Sequence, residues 1–191
     1  MMITTLSRSF KLRVAALWQD CRGIAATEFA IVLPIMLIAF FGTVEFCSAV
    51  AVDRKIGIMA RTLSDLTSQN TSVNDAQLTN IFNASTQIMT PYTTTPLQST
   101  ISELYVDPNT LIARVQWSQG VNTRATGSTV AIPTALKIAG TYLIYSEVKY
   151  QYVPTVGYVM AKAGIALSDL SYTRPRQSVC VMYNTSVCPT S

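Results

Sequence analysis

A chain of 191 residues that is 49% hydrophobic and only 13% charged is too apolar to be disordered and unusually poor in charge for a soluble domain of this size. Its net charge of +4 comes from scattered lysines and arginines with no basic stripe interleaved with aromatics, so nucleic acid is not an expected partner. The absence of histidine removes the commonest general base and the Ser/His and Cys/His nucleophile pairs, and no glycine-rich phosphate loop occurs; an enzyme is not expected and no cofactor is implied. A glycosidase-like pair of carboxylates finds no support either, because Glu103, Asp107, Glu147 and Asp169 are spread over several predicted elements and nothing in the sequence shows them converging.

In chain order, a leader carrying Arg8, Lys11, Arg13 and Arg22 comes first, followed by the sixteen residues FAIVLPIMLIAFFGTV from Phe29 to Val44, none of them charged. As a helix this run rises roughly 24 Å, a little short of the ~30 Å hydrocarbon core, and adding Thr27 and the residues up to Val52 closes the gap. No amphipathic stripe crosses it, so it reads as a membrane span more readily than as a buried core helix. The basic leader predicts a cytoplasmic N terminus. Arg54, Lys55 and Arg61 follow the span, but Asp53 and Asp65 are interspersed and whole domains translocate largely regardless of charge. A secretory signal peptide is the competing reading, with Ala49-Val50-Ala51 as a small-x-small cleavage site; the apolar run exceeds the usual h-region of about 7 to 15 residues, and Glu45 intervenes. Within the run, Pro34 removes an amide donor and should kink the helix near Ala30 to Pro34, whereas Gly42 has no small partner four residues away. Glu45 reads as a wetted residue at the outer interface, with an assembly contact as the alternative.

Past the span, Ile56, Met59, Ala60, Leu63 and Leu66 recur at helical spacing, which predicts one helix from Thr27 to Leu66. A polar turn, Thr67 to Asn74, leads to a second helix over Ala76 to Met89 with Leu78, Ile81, Phe82 and Ile88 on its apolar side, and PYTTTP (Pro91 to Pro96) ends it. The remainder reads as antiparallel sheet. ISELYVD and LIARVQWS are joined by Pro108-Asn109-Thr110, and TYLIYSEVKYQYV (Thr141 to Val153) alternates so that Tyr142, Ile144, Val148, Tyr150 and Tyr152 share one face and Glu147, Lys149 and Gln151 the other. A tyrosine stripe of this kind could bind sugars or bases, but is more simply the packed face of a strand. A last strand is expected within Gly164 to Thr173. Cys180 and Cys188 enclose the short segment VMYNTSV and can pair in an oxidising compartment, while Cys21 in the leader and Cys47 in the span are not natural partners for them. Without histidine or a further cysteine nearby the pair cannot complete a tetrahedral zinc site, so no metal is expected. With no internal repeat, the organisation is a leader over 1–23, a transmembrane and stalk helix over 24–66, and one exported α+β domain over 67–191 built from a helix and a small antiparallel sheet.

Glu28 stands at the mouth of the span, where an ionised acid carried deep into the bilayer costs about 2.5 to 3.5 kcal/mol and so calls for a function or a partner. Gly23, Ile24, Glu28 and Phe29 form the pattern G-x-x-x-x-E-F ahead of an apolar helix, which resembles the processing site of type IV pilin-like proteins. The whole stretch RGIAATEFAIVLPIMLIAFFGTVEF, Arg22 to Phe46, resembles the N terminus of the TadE-like family, pseudopilins of the tight-adherence (Tad, Flp) pilus systems. Arg22, Gly23, Ala26, Glu28, Phe29, Ala30, Leu33, Pro34, Phe41, Gly42, Glu45 and Phe46 all fit its pattern, and Arg174-Pro175-Arg176 after an aromatic-rich strand gives a fainter echo. The resemblance implies a type IV pilin-like N-terminal helix. It implies cleavage by a prepilin peptidase between Gly23 and Ile24, which would leave an α-amino group of pKa about 7.7 to 8.0 on Ile24 as a partner for Glu28. It implies other pilin or pseudopilin subunits and the Tad inner-membrane machinery as partners. The expected location is a bacterial inner membrane, with the C-terminal domain periplasmic or extracellular, and the expected role is that of a structural or minor pilus subunit in surface adhesion. The alternative is a single-span envelope protein that is never cut, whose exported domain binds a Tad component, a surface or a ligand.

Overall fold

A computed structural model describes residues 22–154, 164–184 and 188; most of the expected leader, with Cys21, lies outside the described residues. Helix α1 runs unbroken from Arg22 to Ser68, five residues earlier and two later than the apolar spacing predicts, with Pro34 inside it. The chain divides into two compact units, Met1–Val44 and Glu45–Ser191, so α1 contributes to both. The described part of the first unit is helix alone.

In the second unit the apolar positions of α1 carry the core. Val52, Ile56, Met59, Ala60 and Leu63, spaced three or four apart, have no exposed surface, and burial of each large side chain contributes about 1.5–3 kcal/mol. The helix stops where polar groups compete for its last carbonyls: Asn70 Nδ2 donates to Leu66 O at 2.8 Å, and the Arg176 amide donates to Ser68 O at 2.9 Å. After strand β1 (Ser72–Val73), helix α2 (Asp75–Thr86) opens with a capping box in which Asn74 accepts from the Gln77 amide at 2.9 Å and Gln77 accepts from the Asn74 amide at 3.0 Å. The expected helix to Met89 tightens into a 3₁₀ turn at Gln87–Met89. There Lys55 Nζ donates to Ile88 O and Thr90 O at 2.8 and 2.9 Å, tying α1 to the end of the turn.

Strands β2 (Leu97–Val106), β3 (Ala113–Gly120), β4 (Thr129–Val130), β5 (Tyr142–Tyr152) and β6 (Ile165–Thr173) form an antiparallel sheet in the order β4-β3-β2-β5-β6. Its inner face packs on α1 and α2 through Ile101, Trp117, Ile144, Val148, Tyr150 and Tyr152, the β5 face that the alternation predicts. The other face is not wholly polar. Leu143 and Tyr145 join Leu104, Val106, Ala113, Val115, Val130 and Ile132 in a second buried cluster, against which Leu136 also packs: β4 extends the sheet beside β3, and Ile132 and Leu136 in the segment after it add apolar cover. A bulge in β3 changes which face its residues serve. Leu104 pairs with Val115 but Glu103 with Trp117, so Gln116 is an extra residue that sends Trp117 to the inner face while Ala113 and Val115 stay on the outer one. A two-residue strand, β7 (Met182–Tyr183), pairs in parallel with β1 in the register Ser72↔Met182 and Val73↔Tyr183.

Candidate functional site

The stretch singled out by the sequence forms the N-terminal part of α1, and its large apolar side chains stand exposed among the described residues. Phe29 is 61% exposed and Ile38 74% exposed, among a continuous series of exposed large apolar residues from Ile24 to Phe46. Its hydroxyls are satisfied within the helix, Thr27 Oγ1 donating to Ile24 O and Thr43 Oγ1 to Ala39 O, both at 2.8 Å, as a backbone in hydrocarbon requires. Among the described residues α1 is the one helix long and apolar enough to cross a membrane. Ile24 and Glu28 sit four apart on this helix and both are exposed, with Phe29 next to them. In the intact chain the Ile24 nitrogen is a peptide amide, so the ion pair implied for the cut form is not present here. A Cβ on Gly23 or on Gly42 would meet no atom of the described residues within 4 Å, so packing among these residues requires neither glycine.

Glu45 is half buried, and Tyr152 Oη donates to its Oε2 at 2.9 Å. The first residue of the second unit thus holds the end of β5, a contact the sequence reading did not foresee. The available signal was a tyrosine closing an alternating strand. Cys47 is exposed and unbonded, whereas Cys180 and Cys188 are joined in the expected disulfide with Cα atoms 6.0 Å apart.

Glu103 was set aside because nothing in the sequence shows what it faces. The fold buries it to 2% exposure beside Trp117, where the Val181 amide donates to Glu103 Oε1 at 2.6 Å and Trp117 Nε1 donates to Val181 O at 2.8 Å. Desolvation outweighs these donors and raises the Glu103 pKa to about 7. Val181 follows the disulfide-bonded Cys180, so a carboxyl and an indole grip both backbone polar groups of one residue and fix the C-terminal segment against the core.

A helix that is a candidate membrane span, with an acid near its start, is continued into an α+β domain. The family model described as TadE-like protein matches residues 23–62, which lie entirely within α1, and bears out the resemblance drawn from Arg22 to Phe46. That match associates the chain with Tad pilus systems and with the membrane. No curated protein and no solved structure matches the chain.

Proposed function

We propose that the chain is a TadE-like pseudopilin, a structural or minor subunit of a Tad/Flp pilus assembly involved in surface adhesion. The observation that carries this reading is the coincidence of the family match at residues 23–62 with an apolar helix left uncovered in the chain. The precursor sits in a bacterial inner membrane by one span, N terminus inside and sheet domain outside. A prepilin peptidase cuts after Gly23, whose lack of a side chain leaves the scissile peptide accessible. The new Ile24 amino group then pairs with Glu28 as helices pass from lipid into an assembly with other pilin subunits. The chain's role is assembly and not catalysis. Intact-mass measurement and N-terminal sequencing of protein from cells that contain the peptidase are expected to find a chain starting at Ile24. Substitution of Gly23 by a bulky residue is expected to leave it uncut but inserted. Protein that retains Met1 to Gly23 would instead be the uncleaved single-span envelope protein.

A further inference from the structure

On the outer face of the sheet, away from the helices, the segment after β3 turns back over β2. Gly120 allows this turn: its φ is +119°, and a Cβ there would stand 2.3 Å from Ser99 O. Asn122 follows in the left-handed region at φ 61°, uncommon for a residue with a side chain. The turn is held at every step. The Val121 amide donates to Ser99 O at 2.9 Å, Thr100 Oγ1 donates to Val121 O, and Asn122 Nδ2 donates to Gln98 Oε1 at 2.9 Å. The Arg124 amide donates to Ser118 Oγ at 3.0 Å, and its guanidinium gives Glu147 Oε2 two bonds at 3.0 and 2.7 Å.

Between this turn and strands β2 and β5 lies a cavity of about 300 Å³. In the sheet register Gln98 stands opposite Lys149 and Thr100 opposite Glu147, so amide, hydroxyl, carboxylate and ammonium groups converge on one rigid site. Arg124 and Glu147 neutralise each other. The two ion pairs among the described residues, Arg124–Glu147 and Asp65–Arg176, leave Lys149 out, and the cavity keeps one uncompensated positive charge.

We propose that this cavity binds an acidic monosaccharide unit, a hexuronate of a surface polysaccharide, with its carboxylate at Lys149 and its hydroxyls bonded to Gln98, Asn122 and Glu147. The wall groups supply both donors and acceptors, which suits a ring of hydroxyls, and the single spare cation suits one acid. Its volume is that of a small ligand site, and a strained, fully tied turn is the form that a preorganised one takes. The site stands whether or not the chain enters a filament.

The test uses the full chain in phosphatidylcholine nanodiscs, with the side-chain amide signals of Gln98 and Asn122 followed by NMR during titration with methyl glucuronide, methyl glucoside and acetate. Methyl glucuronide is expected to shift these signals saturably, and the other two to bind at least about tenfold more weakly. Lys149→Gln is expected to reduce glucuronide binding to the level of the glucoside. Asn122→Gly, which keeps the left-handed turn and removes the amide, is expected to weaken it by about fivefold or more. Absence of a saturable shift, equal binding of acetate or glucoside, or unchanged binding in Lys149→Gln overturns the proposal, and leaves the pseudopilin reading untouched because assembly plays no part in the measurement.

Discussion

Two residues show how far one side chain is committed by its surroundings. Glu103 has a folded-state pKa of about 7 against an ordinary 4.5. Because the folded value is the higher one, the stability it contributes is fully present below about pH 4.5 and is lost as the pH rises through about 7, a change of at most about 3 kcal/mol. Glu103→Gln cannot ionise and still accepts from the Val181 amide. Denaturant titration of the inserted chain, followed by tryptophan fluorescence, is therefore expected to show a flatter pH dependence between 4.5 and 7 and greater stability than the parent at pH 8. An unchanged pH profile would show that Glu103 is not the group responsible. Gly120 is committed by backbone geometry: at φ +119° and with Ser99 O in the way, Gly120→Ala is expected to cost about 1–3 kcal/mol in the same titration. The neighbouring Gly127, also at positive φ but with open space around it, bears only the conformational part of that cost.

Elements were legible from the sequence in proportion to their regularity. The spacing of Ile56, Met59, Ala60 and Leu63 gives α1, and the alternation from Tyr142 to Tyr152 gives β5 with the correct inner face. Periodicity is silent on a single inserted residue, so the bulge at Gln116 and the turn of Trp117 to the core could not be read from LIARVQWS. It is equally silent on β1 and β7, two residues each, whose pairing depends on segments more than a hundred residues apart. Alternation places Leu143 and Tyr145 on the face of Glu147 and Lys149, and it is silent on their apolar neighbours there, Val130, Ile132 and Leu136, which come from β4 and the irregular segment after it. The disulfide, by contrast, was visible from spacing alone. With a sequence separation of 8 between its partners it is expected to contribute roughly 2 to 3 kcal/mol at best, and non-reducing peptide mapping of protein from its native compartment should recover Cys180 and Cys188 in one bonded fragment. Free thiols at both positions in protein from its native compartment would refute the pairing.

The whole molecule places one helix in two environments. Up to Val44 its large apolar side chains are exposed among the described residues, and from Ala49 onward its apolar side chains belong to a folded core. Glu28 belongs to the first environment, and the proposed pairing with Ile24 gives it a partner only in an assembly. Breaking a buried pair costs about 3–5 kcal/mol, whereas an exposed pair is worth at most about 1. Glu28→Gln is therefore expected to insert normally and to be cut, yet to impair pilus formation. Cleavage and filament yield measured in the same cells check this: failure of cleavage would assign Glu28 to peptidase recognition, and full assembly would exclude the pair. The sequence made this N-terminal site legible because its signals are local and linear, whereas the cavity beside Lys149 is built from three segments that only the fold brings together.

The join between α1 and the sheet also has a mechanical consequence. Tyr152 is bonded to Glu45, Ser146 to the Ala60 carbonyl at 2.6 Å, and Ser171 and Thr173 to Ser64 at 3.0 and 2.9 Å. Along α1 these points are spread over a rise of about 28 Å; α1 runs opposite to β5 and therefore in the same direction as β6, so helix and strands lie side by side. Tension applied at Glu45 along the helix therefore meets every one of these fastenings in shear at the same moment, together with the buried apolar contacts between them. They must yield collectively, and the rate of that collective event sets the force at which the domain would be torn from its own stalk. A sideways pull would open the same fastenings one after another, so the domain is expected to hold best against a load directed along the axis of α1.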